Sequence, residues 1–481
     1  MEVLKQELHA PDTYIKVDST EASIVERHVK TGIDLKLNIT PDYHKLPVLY
    51  WIPKLHKNPY KTRFISNATN TTTTSISKCL TSCLTEIKSH VKKYCTKVYE
   101  NSGLNLFWSI KDSGEVLSKL HSIKEANLLS TYDFSTLYTT LPHDLIKTKL
   151  RGLIEKTFAR EKCTFIACGF SNAFFTDLTY EKYTMWTCED VCSALDFLLD
   201  NIFVRHGHAI YRQNIGIPMG TNCAPLIADL FLYCYERDFM LGLAKDGDTQ
   251  KIDAFNKTSR YLDDILNIDN PFFPNVYKNI YPSQLKLNLA STCNTRTSFL
   301  DLDISIEQDI ITTKIYDKRD DFDFYIVNFP YLDSDVPRAP AYGIYMSQLV
   351  RYARACTKVD DFNERNLFLT NKLLRQGYLF HKLRRTFAKF YHRNKSLLHK
   401  FNSNLKTFLT DGVAHPEFYS DVINKLRKIK GKDGFNNSFI KIIKKFHKRG
   451  YKLDTLRLTT YEVLDPYTVD NYHFLFACTA T

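Results

Sequence analysis

The chain has 481 residues, 44% of them hydrophobic and 13% aromatic, with a formal net charge of +12 at pH 7, which is enough to bury several cores in two or three subdomains. No apolar run approaches the ~20 residues that span a bilayer. The charged start Met1-Glu2-Val3-Leu4-Lys5 lacks the apolar stretch of a secretory signal, so neither a membrane protein nor a secreted one is expected, and the chain reads as cytoplasmic or nuclear.

Charge is unevenly spread. Residues 371–452 carry 21 Lys and Arg against 4 Asp and Glu, a surplus larger than the net charge of the whole chain. A slightly acidic body joined to a basic carboxy-terminal region points to a polyanionic partner, against the plainer reading of a solvated helical face. The twelve cysteines are expected to be reduced, partly buried thiols. A zinc site from Cys163, Cys168, Cys188 and Cys192 is the sharper alternative, but those spacings are irregular for zinc.

In chain order, residues 1–45 are polar, with a helix expected at Glu21–Lys30. Leu46–Lys57 is an apolar strand running into basic residues, and Lys61–Ser66 is a second strand with cations beside aromatic and β-branched residues. Across the Asn58-Pro59 turn, such a pair is suited to gripping a triphosphate. Helices are expected at Ile76–Lys93 and Asp112–Leu120. Asn127–Phe134 rises through apolar residues to a single carboxylate, Asp133, ahead of a helix start at Leu141-Pro142.

Residues 158–187 read as a hairpin insertion, Glu189–Arg205 as a helix, and Ala209–Gln213 as a short strand. The loop Asn214–Asn222, with Gly216 and Gly220, feeds a long apolar helix at Ala224–Leu243. Its glycines permit close backbone approach to a ligand or serve as a structural turn.

Arg260-Tyr261-Leu262-Asp263-Asp264-Ile265-Leu266 then sets adjacent carboxylates on a tight hairpin. The pairs Asp320-Asp321 and Asp360-Asp361 lie in polar surroundings, whereas Asp263-Asp264 lies between apolar runs. A rigid acidic turn suits a hard divalent cation. Leu285–Leu289 reads as a strand, and Phe299–Ile306 with Ile310–Ile315 as a hairpin in which Asp301 and Asp303 share a face as structural or solvent-facing groups. Beyond Lys318–Pro340 the chain turns helical and basic, with helices at Ile344–Ala355 and Leu367–Tyr391 and basic runs at Lys382–Arg385 and Lys441–Lys445.

Asp133 and Asp263-Asp264, far apart in sequence, meet if their strands are neighbours in one sheet. Carboxylates so placed hold two divalent ions ~3.5 to 4 Å apart for phosphoryl transfer. With basic strands, a glycine loop and a basic helical region, the pieces make a nucleic-acid polymerase.

From Leu46 to about Tyr316 the chain resembles a reverse transcriptase. The resemblance rests, in order, on Arg63-Phe64-Ile65; Asp133-Phe134-Ser135-Thr136-Leu137-Tyr138; Gly216-Ile217-Pro218-Met219-Gly220-Thr221-Asn222-Cys223-Ala224-Pro225; Tyr261-Leu262-Asp263-Asp264; and Phe299-Leu300-Asp301-Leu302-Asp303. Tyr50-Trp51-Ile52-Pro53-Lys54-Leu55-His56-Lys57 and Phe299-Leu300-Asp301 look most like the Penelope-like retroelement group, which is related to telomerase.

The resemblance implies an α+β, right-hand polymerase with an antiparallel palm sheet and a basic, mostly helical thumb. Fingers would span 46–130, palm 127–316 and thumb 340–452, flanked by an amino-terminal segment, 1–45, and a tail, 453–481. It implies an RNA-directed DNA polymerase using Mg²⁺ or Mn²⁺, an RNA template, a DNA primer, deoxynucleoside triphosphates and an RNA/DNA duplex.

Asp133, Asp263 and Asp264 would be the catalytic metal ligands. Arg63, Lys54, the Phe134 amide, Met219 and Gly220 would bind the nucleotide, and Tyr138 would be the gate under its sugar. Phe299 and Leu300 would form the primer grip, and Lys286 or Arg296 the proton donor. Met219 stands where many reverse transcriptases carry Gln, and the upstream region usual in the group is short, so an amino-terminally truncated copy is expected. Gly343-Ile344-Tyr345 lacks the Tyr-Ile-Gly partner of a nuclease and is read as chance. The rival readings are a non-catalytic nucleic-acid-binding relic and an RNA-dependent RNA polymerase.

Overall fold

The computed structural model describes residue 8 and residues 13–37, 39–54, 61–322, 324 and 326–411, and the chain divides into two units, Met1–Phe299 and Leu300–Thr481. Lys441–Lys445 and the tail from 453 lie outside the described residues, as do Leu55–Lys57.

The first unit opens with β1 (Tyr14–Val17) and α1 (Glu21–Asp34), whose Thr20 cap accepts from the Ser23 amide. Next come β2 (Val48–Lys54) and β3 (Lys61–Asn67), the two basic strands, paired antiparallel from Val48–Asn67 to Lys54–Lys61. The chain continues through α2 (Thr74–Ser102), α3 (Ser113–Ser122), β4 (Leu129–Phe134), the single-turn α4 (Leu137–Thr140) and α5 (His143–Glu161). Helix α2 outruns its expected end because apolar residues recur at helical spacing, from Ile76 and Leu80 through Ile87 and Val91 to Cys95, before Gly103 stops it at φ +67°.

Residues 165–186 form three short strands, β5 (Phe165–Cys168), β6 (Ala173–Thr176) and β7 (Thr184–Trp186), ordered β6-β5-β7. The expected hairpin is thus a three-stranded sheet. Helix α6 covers only Cys188–Asp200, and 203–206 belongs to a strand, β8 (Phe203–His206), which pairs with β9 (Ala209–Gln213). Phe203 and Val204 are β-favouring residues ahead of a Gly207 turn at φ +60°, which overrides the helical pattern. One sheet runs β1-β9-β8-β2-β3; the polar amino-terminal segment gave no periodicity from which β1 was legible.

After α7 (Ala224–Asp246) and α8 (Thr249–Asn256) come β10 (Ser259–Tyr261), β11 (Asp264–Ile268), α9 (Phe273–Ile280), β12 (Leu287–Leu289) and β13 (Arg296–Phe299). A four-stranded antiparallel sheet has the order β10-β11-β4-β12. Helices α2, α5, α6 and α7 pack on one another and share one apolar core with Tyr132, Phe134 and Ile265 of that sheet.

The second unit contains the hairpin β14 (Leu302–Glu307) and β15 (Ile310–Ile315), turning through Gln308 and Asp309 at φ +50° and +64°. Asp301 lies outside the strand and accepts from Arg351 Nε at 2.8 Å, while Asp303 is buried. The expectation that the two share a polar strand face is corrected accordingly. Helices α10 (Arg338–Ala355), α11 (Val359–Arg375) and α12 (Phe380–Arg393) follow, the last two separated at Gly377, φ +84°, where one continuous helix was expected. Helix α12 buries Leu383, Phe387 and Phe390 and turns its Lys and Arg outward. Tyr345 is fully buried, with its hydroxyl bonded to Asn366 and Thr370, so Gly343-Ile344-Tyr345 is part of a helical core. No helix among the described residues is long and apolar enough to cross a membrane.

Candidate active site

Strand β4 is buried at every position except Asp133. Its apolar residues pack on the helical core, and Thr131 is satisfied by Thr297 of β13 at 2.7 Å. A charged group there is half-exposed because it sits where the strand emerges from its cover.

Strand β11 runs antiparallel beside β4, with Asp264 directly opposite Asp133. Asp263 and Leu262 form the two-residue turn between β10 and β11, closed by the Tyr261–Asp264 pair. Such hairpins need a positive φ within the turn, where glycine is usual; Leu262 takes it, at φ +50°. The Phe134 amide donates to the Asp263 carbonyl at 3.0 Å, tying the turn to the end of β4. That is the amide assigned above to a triphosphate, and in this arrangement it is already used within the protein.

Behind the turn lies a charge cluster that the sequence reading passed over. Arg260 is fully buried. Its Nη1 donates to Asp229 Oδ1 at 2.7 Å and to the Leu262 carbonyl at 3.2 Å, and its Nη2 to Glu236 Oε2 at 3.1 Å. Asp229 also receives Lys88 Nζ at 2.6 Å and the Ser109 hydroxyl at 3.0 Å, and Glu236 receives the Tyr281 hydroxyl at 2.9 Å.

Burial raises the Glu236 carboxyl above its usual range despite Arg260. At Asp229 burial is outweighed by Arg260 and Lys88, and its pKa is lowered. A buried charge persists only when paired and hydrogen-bonded, and here two carboxylates face an arginine and a lysine. The available signal was two carboxylates seven residues apart, hence on one face, in the otherwise apolar α7.

The glycine loop docks on the protein itself. Ser66 of β3 donates its amide to the Met219 carbonyl at 2.8 Å, and Ile217 donates to the Tyr138 carbonyl at 2.7 Å. Gly220 has φ +126°, and a Cβ there would lie 2.0 Å from the Ser66 carbonyl; at Gly216, φ +83°, it would lie 2.5 Å from that of Tyr138. The close approach that needs glycine is therefore to backbone. His143 Nε2 lies 2.7 Å from the Gly216 carbonyl, an acceptor, so this nitrogen carries the proton. Burial lowers the His143 pKa.

The loop thus joins β3, which carries the exposed Arg63, to the turn of Tyr138. Tyr138 is half-buried, and burial, followed by the charges of Asp263 and Asp229, pushes its phenol up to about 12. Lys54 is placed by its backbone alone, opposite Lys61.

Of the two proton-donor candidates, Lys286 is tied to the end of β4. Asn288 lies opposite Asp133, and the Ser135 amide donates to the Lys286 carbonyl at 3.1 Å. Directly opposed residues share a sheet face, so Asn288 falls on the face of Asp133, and Lys286 lies just ahead of that strand, beside Ser135. Arg296 opens β13 and is exposed. Phe299 is buried at the end of the first unit, and Leu300 opens the second at φ +57°.

Among the described residues, no three His, Cys, Asp or Glu side chains converge as a ready metal cluster. This holds for the four cysteines considered for zinc: Cys168 and Cys192 are buried, and burial pushes the Cys192 thiol up to about 12, away from the thiolate that zinc needs. Register and turn set the backbones of the three aspartates beside one another, and carboxylate oxygens are the donors that hard divalent cations take.

No protein-family model matches the chain, and no curated protein matches its sequence. Solved structures match its fold. A telomerase from Candida albicans, in complex with a fragment of telomeric RNA, matches with a TM-score of 0.53 and 12% identity, covering 87% of this chain and 67% of that one. A telomerase from Candida tropicalis matches at TM-score 0.45 and 11% identity, over 95% and 68% of the two chains. A Sicinivirus RNA-dependent RNA polymerase matches at 0.38 and 11%, over 79% and 71%. The last two are too distant to carry an argument; the first shows that this chain has a telomerase-like fold.

Proposed function

We propose that the chain is an RNA-directed DNA polymerase of retroelement type, resembling the Penelope-like group, extending a primer 3′-hydroxyl with deoxynucleoside triphosphates on an RNA template. The observation that carries this reading is the register that sets Asp133 opposite Asp264, with Asp263 in the adjoining turn, inside a telomerase-like fold. On this reading the fingers are 46–130, the palm 127–316 and the thumb 340–452, of which 412–452 lie outside the described residues.

Magnesium or manganese, held by Asp133, Asp263 and Asp264, would lower the pKa of the primer hydroxyl and neutralise the triphosphate. Arg63 and Lys54 hold the triphosphate by charge, and Met219 and Gly220 frame the base through the docked loop. Tyr138 lies under the sugar, where its ring excludes a 2′-hydroxyl. Lys286, tied by its carbonyl to the end of β4, gives the proton to the leaving pyrophosphate. Phe299 and Leu300 hold the primer end.

The test is extension of a labelled DNA primer on an RNA template by the purified chain with Mg²⁺ and deoxynucleotides. Asp263→Asn is expected to remove extension while nucleic-acid binding persists; extension retained by that variant overturns the assignment. A second reading, a nucleic-acid-binding protein without catalysis, is favoured by the Phe134 amide, which is bonded to the Asp263 carbonyl rather than open to a triphosphate. It requires that the unaltered chain bind template and primer yet extend nothing.

A further inference from the structure

On the helical side of the first unit a cavity of about 360 Å³ opens between α2, α5 and α7, lined by Tyr94, Lys156, Arg160, Tyr233, Arg237 and Asp238 among others. It shares no residue with the site of Asp133, Asp263 and Asp264. Its volume lies within the ~300 to 1,000 Å³ of small-ligand sites.

Its charge is unbalanced. Asp238, the one carboxylate of the lining, is already taken by Arg237 Nη2 at 2.6 Å and by Lys149 Nζ at 2.8 Å. Arg160 lies over the Tyr94 ring, 4.4 Å from its centroid. Its Nη2 reaches the Thr157 hydroxyl at 3.5 Å, but its buried Nε makes no hydrogen bond and stands 3.8 Å from Glu161. Glu161 is itself engaged by His90 Nδ1 at 2.9 Å. Lys156 is exposed at the rim and has no ion pair among the described residues. Lys93 and Lys97 flank the exposed Tyr94 on α2.

A buried donor without a partner costs free energy unless a ligand satisfies it. Cations interleaved with tyrosines are the surface that takes a phosphate beside a base. We propose that this cleft binds a phosphate-bearing nucleotide unit, either as part of a nucleic-acid strand or as a free nucleotide, with Arg160 and Lys156 on the phosphate. The polymerase reading makes a strand the natural source, but the test reads binding and needs no synthesis.

The full chain is titrated with a fluorescent single-stranded RNA over a range of salt, and separately with ATP by calorimetry. The variants are Lys156→Glu, at an exposed position that leaves packing intact, and Lys156→Glu with Arg160→Gln. For a strand phosphate, the slope of log affinity against log salt becomes shallower by ~0.7 for each lost contact, while primer extension at saturating template is unchanged. If instead ATP binding is lost at least tenfold and the RNA slope holds, the cleft takes a free nucleotide. If neither moves in either variant, with melting unchanged, the proposal is overturned; this outcome is compatible with full polymerase activity, so it leaves the reading of the aspartate site untouched.

Discussion

Asp133 and Asp264 are direct partners across the antiparallel β4–β11 pair, two carboxylates on one face of a buried sheet. Like charges placed directly opposite destabilise a sheet, and a divalent cation turns that repulsion into attraction. Two consequences are expected in thermal melts. Magnesium raises the midpoint of the unaltered chain and does not raise that of Asp133→Asn. In chelator, Asp133→Asn is as stable as the unaltered chain or slightly more so. A midpoint indifferent to magnesium in the unaltered chain counts against a metal site here.

Arg260 stands between that turn and α7, bonded to the Leu262 carbonyl on one side and to Asp229 and Glu236 on the other. Replacing one member of a buried ion cluster leaves the others uncompensated and costs ~3 to 5 kcal/mol, so Arg260→Met is expected to lower the denaturant midpoint strongly. Adding Glu236→Leu removes one stranded charge and restores part of the stability. It does not restore the bond to Leu262, so primer extension stays low in the double variant. Full recovery of extension along with stability would show that Arg260 serves folding alone.

Much of this site was legible in the sequence because local pattern and long-range role agreed. A strand ending in one aspartate and a tight turn bearing two are each visible in a short window, and so is the basic strand pair. The register joining Asp133 to Asp264 is not local, and the sequence says only that these carboxylates meet if their strands are neighbours. Arg260 was hidden because its partners lie 24 and 31 residues upstream, in a helix whose apolar composition drew attention to packing rather than to its two acids. Gly216 and Gly220 were recognised as positions of close approach, but sequence cannot say to what; the answer is the carbonyls of Tyr138 and Ser66.

That answer makes Gly220 a strict position. A Cβ would meet the Ser66 carbonyl oxygen at 2.0 Å, and φ +126° is strained for any other residue. Gly220→Ala is therefore expected to lift the loop off β3 and to cost more than the ~1 kcal/mol of an ordinary glycine substitution. Hydrogen exchange at the Ser66 amide, which donates to Met219, reads the lift directly. Unchanged protection there would contradict the docking.

His28 sets a lower pH limit on the same unit. It is buried, its Nδ1 lies 2.7 Å from the Thr72 hydroxyl, and burial, with a smaller effect from Arg27, lowers its pKa from 6.5 to about 4. The folded state therefore holds His28 neutral while the unfolded chain takes up a proton. Its contribution is fully present above about pH 6.5 and is lost as pH falls towards about 4, up to ~3 kcal/mol. In denaturant titrations across that window, His28→Gln is expected to flatten the pH slope. An equal slope in the variant would assign the acid sensitivity to other groups.

On the proposed polymerase reading, Tyr138 is the residue that chooses the sugar. Its carbonyl is fixed by Ile217, Gly216 packs against that carbonyl, and its phenol, pushed up to about 12, stays neutral at any working pH. A neutral ring held by the glycine loop next to Asp263 discriminates by shape rather than by charge, so selectivity should not vary between pH 6 and 9. Tyr138→Ala opens that space and is expected to raise ribonucleotide use relative to deoxynucleotide by at least tenfold, a change of ~1.4 kcal/mol in transition-state binding. Tyr138→Phe keeps the ring and should keep the preference. Competition between labelled ribo- and deoxynucleotides on one RNA template measures both. An alanine variant with undiminished preference for deoxynucleotides would move the gate to another residue and leave Tyr138 as a support for the loop.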